Sequence, residues 1–218
     1  VSGIDSFAFS KNTTITSVTM PNTVTKVGDS AFADATNLLS AKLSENCTDV
    51  GICLFQGCTS LKSVDLNSKI TLINAQMFYK CSSIESIVIP DTVNKIGNYA
   101  FSECSSLKSV YIPSSVTEIS RSAFRKTASV TIKGSYGSYA EEYAKANNIP
   151  FEGISAYDVG DVNMDGGINI LDATLVQKYV VGIVELSAEQ KHLADYNNDG
   201  DITVVDATGI QKFIVHLN

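Results

Sequence analysis

The sequence predicts an α+β chain in two parts: a β-rich solenoid closed by a C-terminal helix, then a small all-α domain of two loop–helix units. Three observations predict this. Apolar residues recur every 23 positions through the first part; one twelve-residue acidic loop occurs twice, 34 residues apart; and the two parts differ in charge. Residues 1–157 carry thirteen Lys and Arg against thirteen Asp and Glu, whereas residues 158–218 carry three Lys against ten acids, which is the whole net charge of −7. The expected domains are residues 1–151 and 157–218.

The solenoid rests on phased columns. Phe9, Phe32, Phe55, Phe78, Phe101 and Phe124 fall at one repeat position; Ile4, Val27, Val50, Ile73, Ile96 and Ile119 fall at another. Short alternations such as "SVYIP" suit strands, whose side chains point to opposite faces with period two. Segments such as "GNYAFSEC" suit a turn of α- or 3₁₀-helix that buries Ala and Phe. One turn cannot cover its own apolar side, so neighbouring turns must stack. In the sixth turn Val130 and Ile132 arrive three residues early, and "GSYGSYAEEYAKANNIPF" follows. Tyr139, Tyr143, Ala144 and Ala146 have helical spacing, with Ser138 as N-cap and Asn147-Asn148 as the stop, so this helix is expected to cover the open end. No matching cap precedes it at Val1, and a longer array is expected there. This pattern, over residues 1–151, resembles the leucine-rich repeat variant of bacterial surface and secreted proteins.

Cys58, Cys81 and Cys104 share one repeat position with Asn12, Ala35 and Thr127, and read as small buried residues rather than as nucleophiles or ligands. A Cys-His pair has no histidine to use in the repeats, since His192 and His216 both lie beyond them. H-E-x-x-H, G-x-S-x-G and phosphate-binding glycine loops are absent. No enzyme is expected in this chain. A basic stripe is also missing, which argues against nucleic acid, and no apolar run is long enough to span a membrane.

The two loops carry the chemistry. "DVNMDGGINILD" places oxygen donors at loop positions 1, 3, 5, 9 and 12 (Asp161, Asn163, Asp165, Asn169, Asp172), with Gly166 at the sharp turn and the Gly167 carbonyl at position 7. "DYNNDGDITVVD" supplies Asp195, Asn197, Asp199, the Asp201 carbonyl, Thr203 and Asp206, with Gly200 at the turn. This is the ligand spacing of an EF-hand calcium loop, because Ca²⁺ takes six to eight hard oxygen ligands. Two Ca²⁺ are expected. Position 12 is Asp where an EF-hand has Glu, and "ISAYDVG" offers no entering helix.

Two loops each followed by one helix with a shared D-A-T-x-x-Q-K run resemble the type I dockerin, the module that attaches proteins to scaffoldin cohesins in cellulosomes. The resemblance implies a cohesin-binding set: Ile170, Leu171, Leu175, Gln177 and Lys178 from the first helix, with Val204, Val205, Gln211, Lys212 and His216 from the second. The first pair of each copy is aliphatic, which points to an apolar contact; the competing reading places Ile170, Leu171, Val204 and Val205 in the core. Val176, Tyr179 and Val180 match Ile210, Phe213 and Ile214 as one face, expected to be core. Leu175 stands opposite Gly209 and breaks the internal symmetry. "SAEQKHLADY" reads as a connecting helix with a Ser187/Gln190 capping box.

The resemblance implies a non-catalytic, secreted cellulosome component at the cell surface, whose dockerin binds a cohesin in a Ca²⁺-dependent way while the repeats present a protein- or carbohydrate-binding surface. The alternative is the C-terminal fragment of a cellulosomal enzyme with its catalytic domain upstream. A calcium sensor would need a Met-rich groove, and Met164 is the one methionine of the second part.

Overall fold

The computed structural model describes residues 2–67, 69–127 and 129–215. Contacts divide the chain into two units, Val1–Gly134 with Ser138–Glu152, and Ser135–Gly137 with Gly153–Asn218.

In the first unit every turn of the coil contributes two short strands. The three-residue strands are β2 (Ser17–Thr19), β4 (Ser40–Lys42), β6 (Ser63–Asp65), β8 (Ser86–Val88) and β10 (Ser109–Tyr111). The two-residue strands are β1 (Gly3–Ile4), β3 (Lys26–Val27), β5 (Asp49–Val50), β7 (Leu72–Ile73), β9 (Lys95–Ile96) and β11 (Glu118–Ile119). Neighbouring turns pair in parallel at an offset of one repeat: Val18 opposes Ala41, which opposes Val64, and Ile73 opposes Ile96. Two further strands, β12 (Thr131–Ser135) and β13 (Phe151–Ile154), extend the β8-β10 sheet in the order β13-β12-β10-β8. Ile132 sits opposite Val110, so the last turn is shortened by one residue and not by the three read from the sequence. Backbone pairing, not the apolar column, sets the register here, and Val130 keeps the column of Leu107.

The phenylalanine column forms the spine. Successive rings from Phe9 to Phe124 stack with centroids 5.2 to 5.8 Å apart. Phe32, Phe55, Phe78 and Phe101 are fully buried. Each removes about 1.5–3 kcal/mol worth of apolar surface from water. Helix α1 (Tyr139–Ala146) covers the far end through buried Ala140, Tyr143 and Ala144, and the Tyr143 ring continues the stack 6.1 Å from Phe124. Ser138 holds the N-cap position as expected, but its hydroxyl makes no capping bond.

The Ala-Phe segments are neither α- nor 3₁₀-helix. They are turns whose N–H groups alternate between a carbonyl three residues back and one in the next coil: Ala33 N donates to Ser30 O at 3.0 Å, Phe32 N to Leu54 O at 3.1 Å. Alternation requires left-handed backbone at Ser30, Asp34, Cys53, Gln76, Lys80, Tyr99 and Glu103. Each such non-glycine residue costs about 1–2 kcal/mol, offset by a third, inter-coil ladder that a helix could not form.

The cysteine column has a reason beyond size. The Cys58, Cys81 and Cys104 thiols donate to the carbonyls of Phe32, Phe55 and Phe78, each at 3.0 Å, and the Thr127 hydroxyl does the same to Phe101. All five cysteines are free. Burial pushes the Cys58 and Cys104 thiols up to about 12, and Cys81 well above the usual value.

Both strand faces break between the third and fourth coils. Among the described residues, β2-β4-β6 is separate from β8, and β1-β3-β5 from β7. The turn ladder runs through unbroken, with Phe55 N donating to Met77 O at 2.9 Å, and the Asn74 side-chain amide donates to the Val50 carbonyl. The break opens a groove of about 420 Å³ whose walls include Leu66 and Val88.

In the second unit, α2 (Ile170–Val180) and α4 (Val204–Ile214) pack on each other, with α3 (Ala188–Ala194) between them in sequence. Val162, Ala173, Val176, Leu186, Ala194, Ala207 and Ile210 form its core. The Ser187/Gln190 capping box is present with both hydrogen bonds. No helix of the described residues is long and apolar enough to cross a membrane.

Candidate functional site: two acidic loops and the helices they start

Each loop is organised by its own carboxylates. Asp161 Oδ1 accepts from Asp165 N (3.1 Å) and Oδ2 from Gly166 N (2.9 Å). Asp195 does the same with Asp199 N (3.1 Å) and Gly200 N (2.9 Å). At the other end, Asp172 accepts from Asn163 N (2.9 Å) and Asn169 N (2.8 Å), and Asp206 accepts from Asn197 N and Thr203 N. A residue at loop position 12 is thereby bonded back to position 3, which closes the loop. Asp172 and Asp206 are fully buried, and Asp161 nearly so. Buried carboxylates on this scale need partners, and backbone N–H groups supply part of that need.

The sharp reversal is built from two left-handed residues, not one. Gly166 and Gly200 have φ of +90° and +92°, as the turn demands. Met164 and Asn198, at loop position 4, are also left-handed, at 61° and 56°. The sequence gives no sign of this at a methionine.

The side chains at position 9 have a role that the sequence reading missed. Asn169 Oδ1 accepts from Leu171 N at 2.9 Å and Thr203 Oγ1 from Val205 N at 3.1 Å, so both are helix N-caps. Asp172 and Asp206, at N3, complete capping boxes with the Asn169 and Thr203 backbones. Loop closure and helix start thus share the same residues. A cap of this kind stabilises a helix by about 1 kcal/mol.

Among the described residues, no three His, Cys, Asp or Glu gather into a close metal-binding cluster. Asparagine amides stand between the acids: Asn163 Nδ2 donates to Asp165 Oδ2 (2.9 Å), Asn169 Nδ2 to Gly167 O (2.9 Å), and Asn197 Nδ2 to Asp199 Oδ2 (2.8 Å). The donor chemistry nonetheless fits a hard cation, because every candidate ligand atom is a carboxylate, carboxamide, hydroxyl or carbonyl oxygen.

The helices present a second candidate surface. Ile170, Leu171, Val204 and Val205 are 55 to 61% exposed, so the reading that placed them in the core does not hold. Gln177, Lys178 and Lys212 are exposed and Gln211 half-buried. Leu175 departs from its group by packing against the core; His216 lies outside the described residues. The face expected to be core is core at Val176 and Ile210, and partly so at Tyr179 and Ile214, whereas Val180 and Phe213 are exposed.

The start of α2 meets the second half of α4. Ile170, Thr208, Gln211, Lys212, Ile214 and Val215 line a groove of about 380 Å³. Val181, Ile183 and Val215 add exposed apolar surface at the helix ends that sequence periodicity did not single out. The broken symmetry at Gly209 has a steric cause: a Cβ there would come within 2.6 Å of the Tyr196 ring. The second copy gives up a leucine so that Tyr196 can pack.

Residues 2–131 match the BspA type leucine rich repeat region in six copies, and residues 159–215 match the dockerin type I domain. Among solved structures, the chain is similar to a leucine rich cell surface protein from Faecalibacterium prausnitzii (27% identity, TM-score 0.54, 65% of this chain and 33% of that one). It is also similar to the leucine rich repeat protein of T. pallidum (32% identity, TM-score 0.52, 54% of this chain and 58% of that one). A leucine-rich repeat protein from Bacteroides ovatus, at 23% identity and TM-score 0.52, shares the fold over 69% of this chain and 45% of its own. The chain therefore spans about a third to three fifths of the length of these proteins. No curated protein matches it. The chain belongs to the BspA-type leucine-rich repeat family and carries a dockerin type I domain.

Proposed function

We propose that this chain is a non-catalytic, secreted component of a cellulosome-type assembly, in which residues 157–218 dock onto a cohesin and residues 1–151 present a separate binding surface. The observation that carries this is the pair of matching loops, each closing on the aspartate that starts its own helix. Each loop holds one Ca²⁺. In the first, the ligands are Asp161, Asn163, Asp165, the Gly167 carbonyl and Asp172, with Asn169 through a water, since its oxygen already caps α2. In the second they are Asp195, Asn197, Asp199, the Asp201 carbonyl and Asp206, with Thr203 in the corresponding place. A bound cation offsets the local negative charge. The Asn163 and Asn197 amides must turn so that oxygen faces the cation, which exchanges each N–H···O bond to an aspartate for a cation–oxygen contact.

The cohesin face is built on Ile170, Leu171, Val204 and Val205, flanked by Gln177, Lys178, Gln211 and Lys212. Four exposed aliphatic side chains in two matching pairs are apolar anchors, and the lysines supply a charged rim. Because Ca²⁺ sets the loop that starts each helix, docking depends on the metal. Leucine-rich repeats and dockerins are both non-catalytic modules. Titration calorimetry of the chain against cohesins of several classes, with Ca²⁺ and then with EDTA, tests the reading. Tight binding to one cohesin that EDTA abolishes is expected. Calcium uptake with no cohesin bound from any class would contradict it.

A further inference from the structure

Tyr79, Ser102 and Arg125 are 23 residues apart and occupy one column on the turn side of the solenoid. Two long side chains thus flank a small one. Ser102 is buried, with its hydroxyl donating to the Arg125 carbonyl at 2.7 Å, so it forms a floor and not a wall. Two steps of about 4.8 Å separate the walls. Tyr99 and Gln76, adjacent in a neighbouring column, close one side. The result is a polar notch of about 280 Å³, just below the range of about 300 to 1,000 Å³ of drug-sized ligand pockets, which suits one small unit.

The charges in the notch are unequal. Glu103 is already countered, with Lys126 Nζ at 3.1 Å and Lys80 Nζ at 4.0 Å. Lys80 also lies 5.1 Å from the centre of the Tyr79 ring. Arg125 is exposed, and among the described residues no carboxylate pairs with it. No other coil places Arg in this column: its members are Ser10, Ala33, Gln56, Tyr79, Ser102 and Arg125. The notch therefore offers a free guanidinium fork, which matches a carboxylate, beside two tyrosine rings whose apolar bodies and polar tips suit a ring with one C–H face and several hydroxyls.

We propose that this notch binds a carboxylated sugar residue of the uronate type, its carboxylate on Arg125, its ring against Tyr79 and Tyr99, and its hydroxyls toward Gln76 and Glu103. This rests on the reading of the repeats as a ligand-presenting surface. It assigns one position on that surface and one ligand chemistry, a single acidic sugar unit rather than a long neutral chain.

The test is titration calorimetry of the full calcium-loaded chain with trigalacturonate, its methyl ester and triglutamate at low ionic strength. The variants are Arg125→Gln, Tyr79→Ala and, on the opposite strand face, Lys42→Gln. Trigalacturonate is expected to bind, with the ester at least about tenfold weaker, which corresponds to about 1.4 kcal/mol. Arg125→Gln and Tyr79→Ala should each weaken binding about tenfold with unchanged thermal melting, and Lys42→Gln should have no effect. Ester binding equal to acid binding, no binding of trigalacturonate, or triglutamate binding as tight as trigalacturonate would each overturn the proposal. Trigalacturonate affinity unmoved by Arg125→Gln and Tyr79→Ala would also overturn this site, while leaving the broader surface reading standing.

Discussion

The two parts of this chain solve the same problem, internal repetition, by opposite means. The solenoid stacks coils so that each covers its neighbour's apolar side, and its charges pair from coil to coil: Lys26 with Asp49, Lys42 with Asp65, Lys95 with Glu118. The dockerin repeats only twice, has a small apolar core around Val176 and Ile210, and concentrates its acids on its loops. One part is stabilised by what it buries; the other, on the function proposed above, by what it binds. That difference predicts separate responses to the same perturbation.

The largest effect falls on the spine. Phe78→Ala removes a fully buried ring stacked on Phe55 and Phe101. A loss of about 3–5 kcal/mol is expected, read as a lower urea midpoint for the solenoid, the same with or without Ca²⁺. In the dockerin, Asp206→Ala removes at one stroke the loop closure onto Asn197, the helix capping box and a proposed ligand. Calcium affinity at the second loop should fall more than tenfold by titration, with the solenoid's melting unmoved. Loss of Ca²⁺ binding at neither loop would contradict the ligand assignment.

Smaller changes sharpen the contrast. Gly209→Leu makes the two copies alike but drives a side chain into Tyr196. About 1–3 kcal/mol of dockerin stability should be lost, visible as a lower thermal transition for that unit alone. Alkaline titration bears on the solenoid. The Cys58 and Cys104 thiols are pushed from 9.0 to about 12 by burial. A raised folded value favours the native state fully below the unfolded value and progressively less as pH climbs toward the folded one. Solenoid stability should therefore be flat up to about pH 9 and decline between 9 and 12. Native Cys58 and Cys104 should resist thiol reagents at pH 8 and react once unfolded in urea.

The period of 23, the phenylalanine column, the capping helix and the paired loop–helix units were legible because each is a matter of residue type at fixed intervals. What escaped notice depends on backbone conformation or on partners distant in sequence. The turns could not be told from short helices, since left-handed residues such as Tyr99 and Glu103 carry no compositional mark. The cysteine column looked like simple packing, because nothing in the sequence says that a phenylalanine carbonyl one coil back needs a donor. The break between the third and fourth coils falls within an unbroken period. In the dockerin the periodicity did not separate the exposed aliphatic pairs Ile170-Leu171 and Val204-Val205 from core positions, nor show that Leu175 packs against the core. Gly209 looked like a lapse of symmetry until Tyr196 was seen against it.

The contrast is tested most directly by differential scanning calorimetry of the chain in Ca²⁺ and in EDTA. Two transitions are expected with calcium. EDTA should abolish or strongly lower the dockerin transition, since a small domain with uncompensated acids depends on its metal to fold, and should leave the solenoid transition in place. Two transitions that EDTA does not move would contradict a metal-dependent dockerin, and a single transition that collapses with EDTA would contradict a solenoid that stands on its own core.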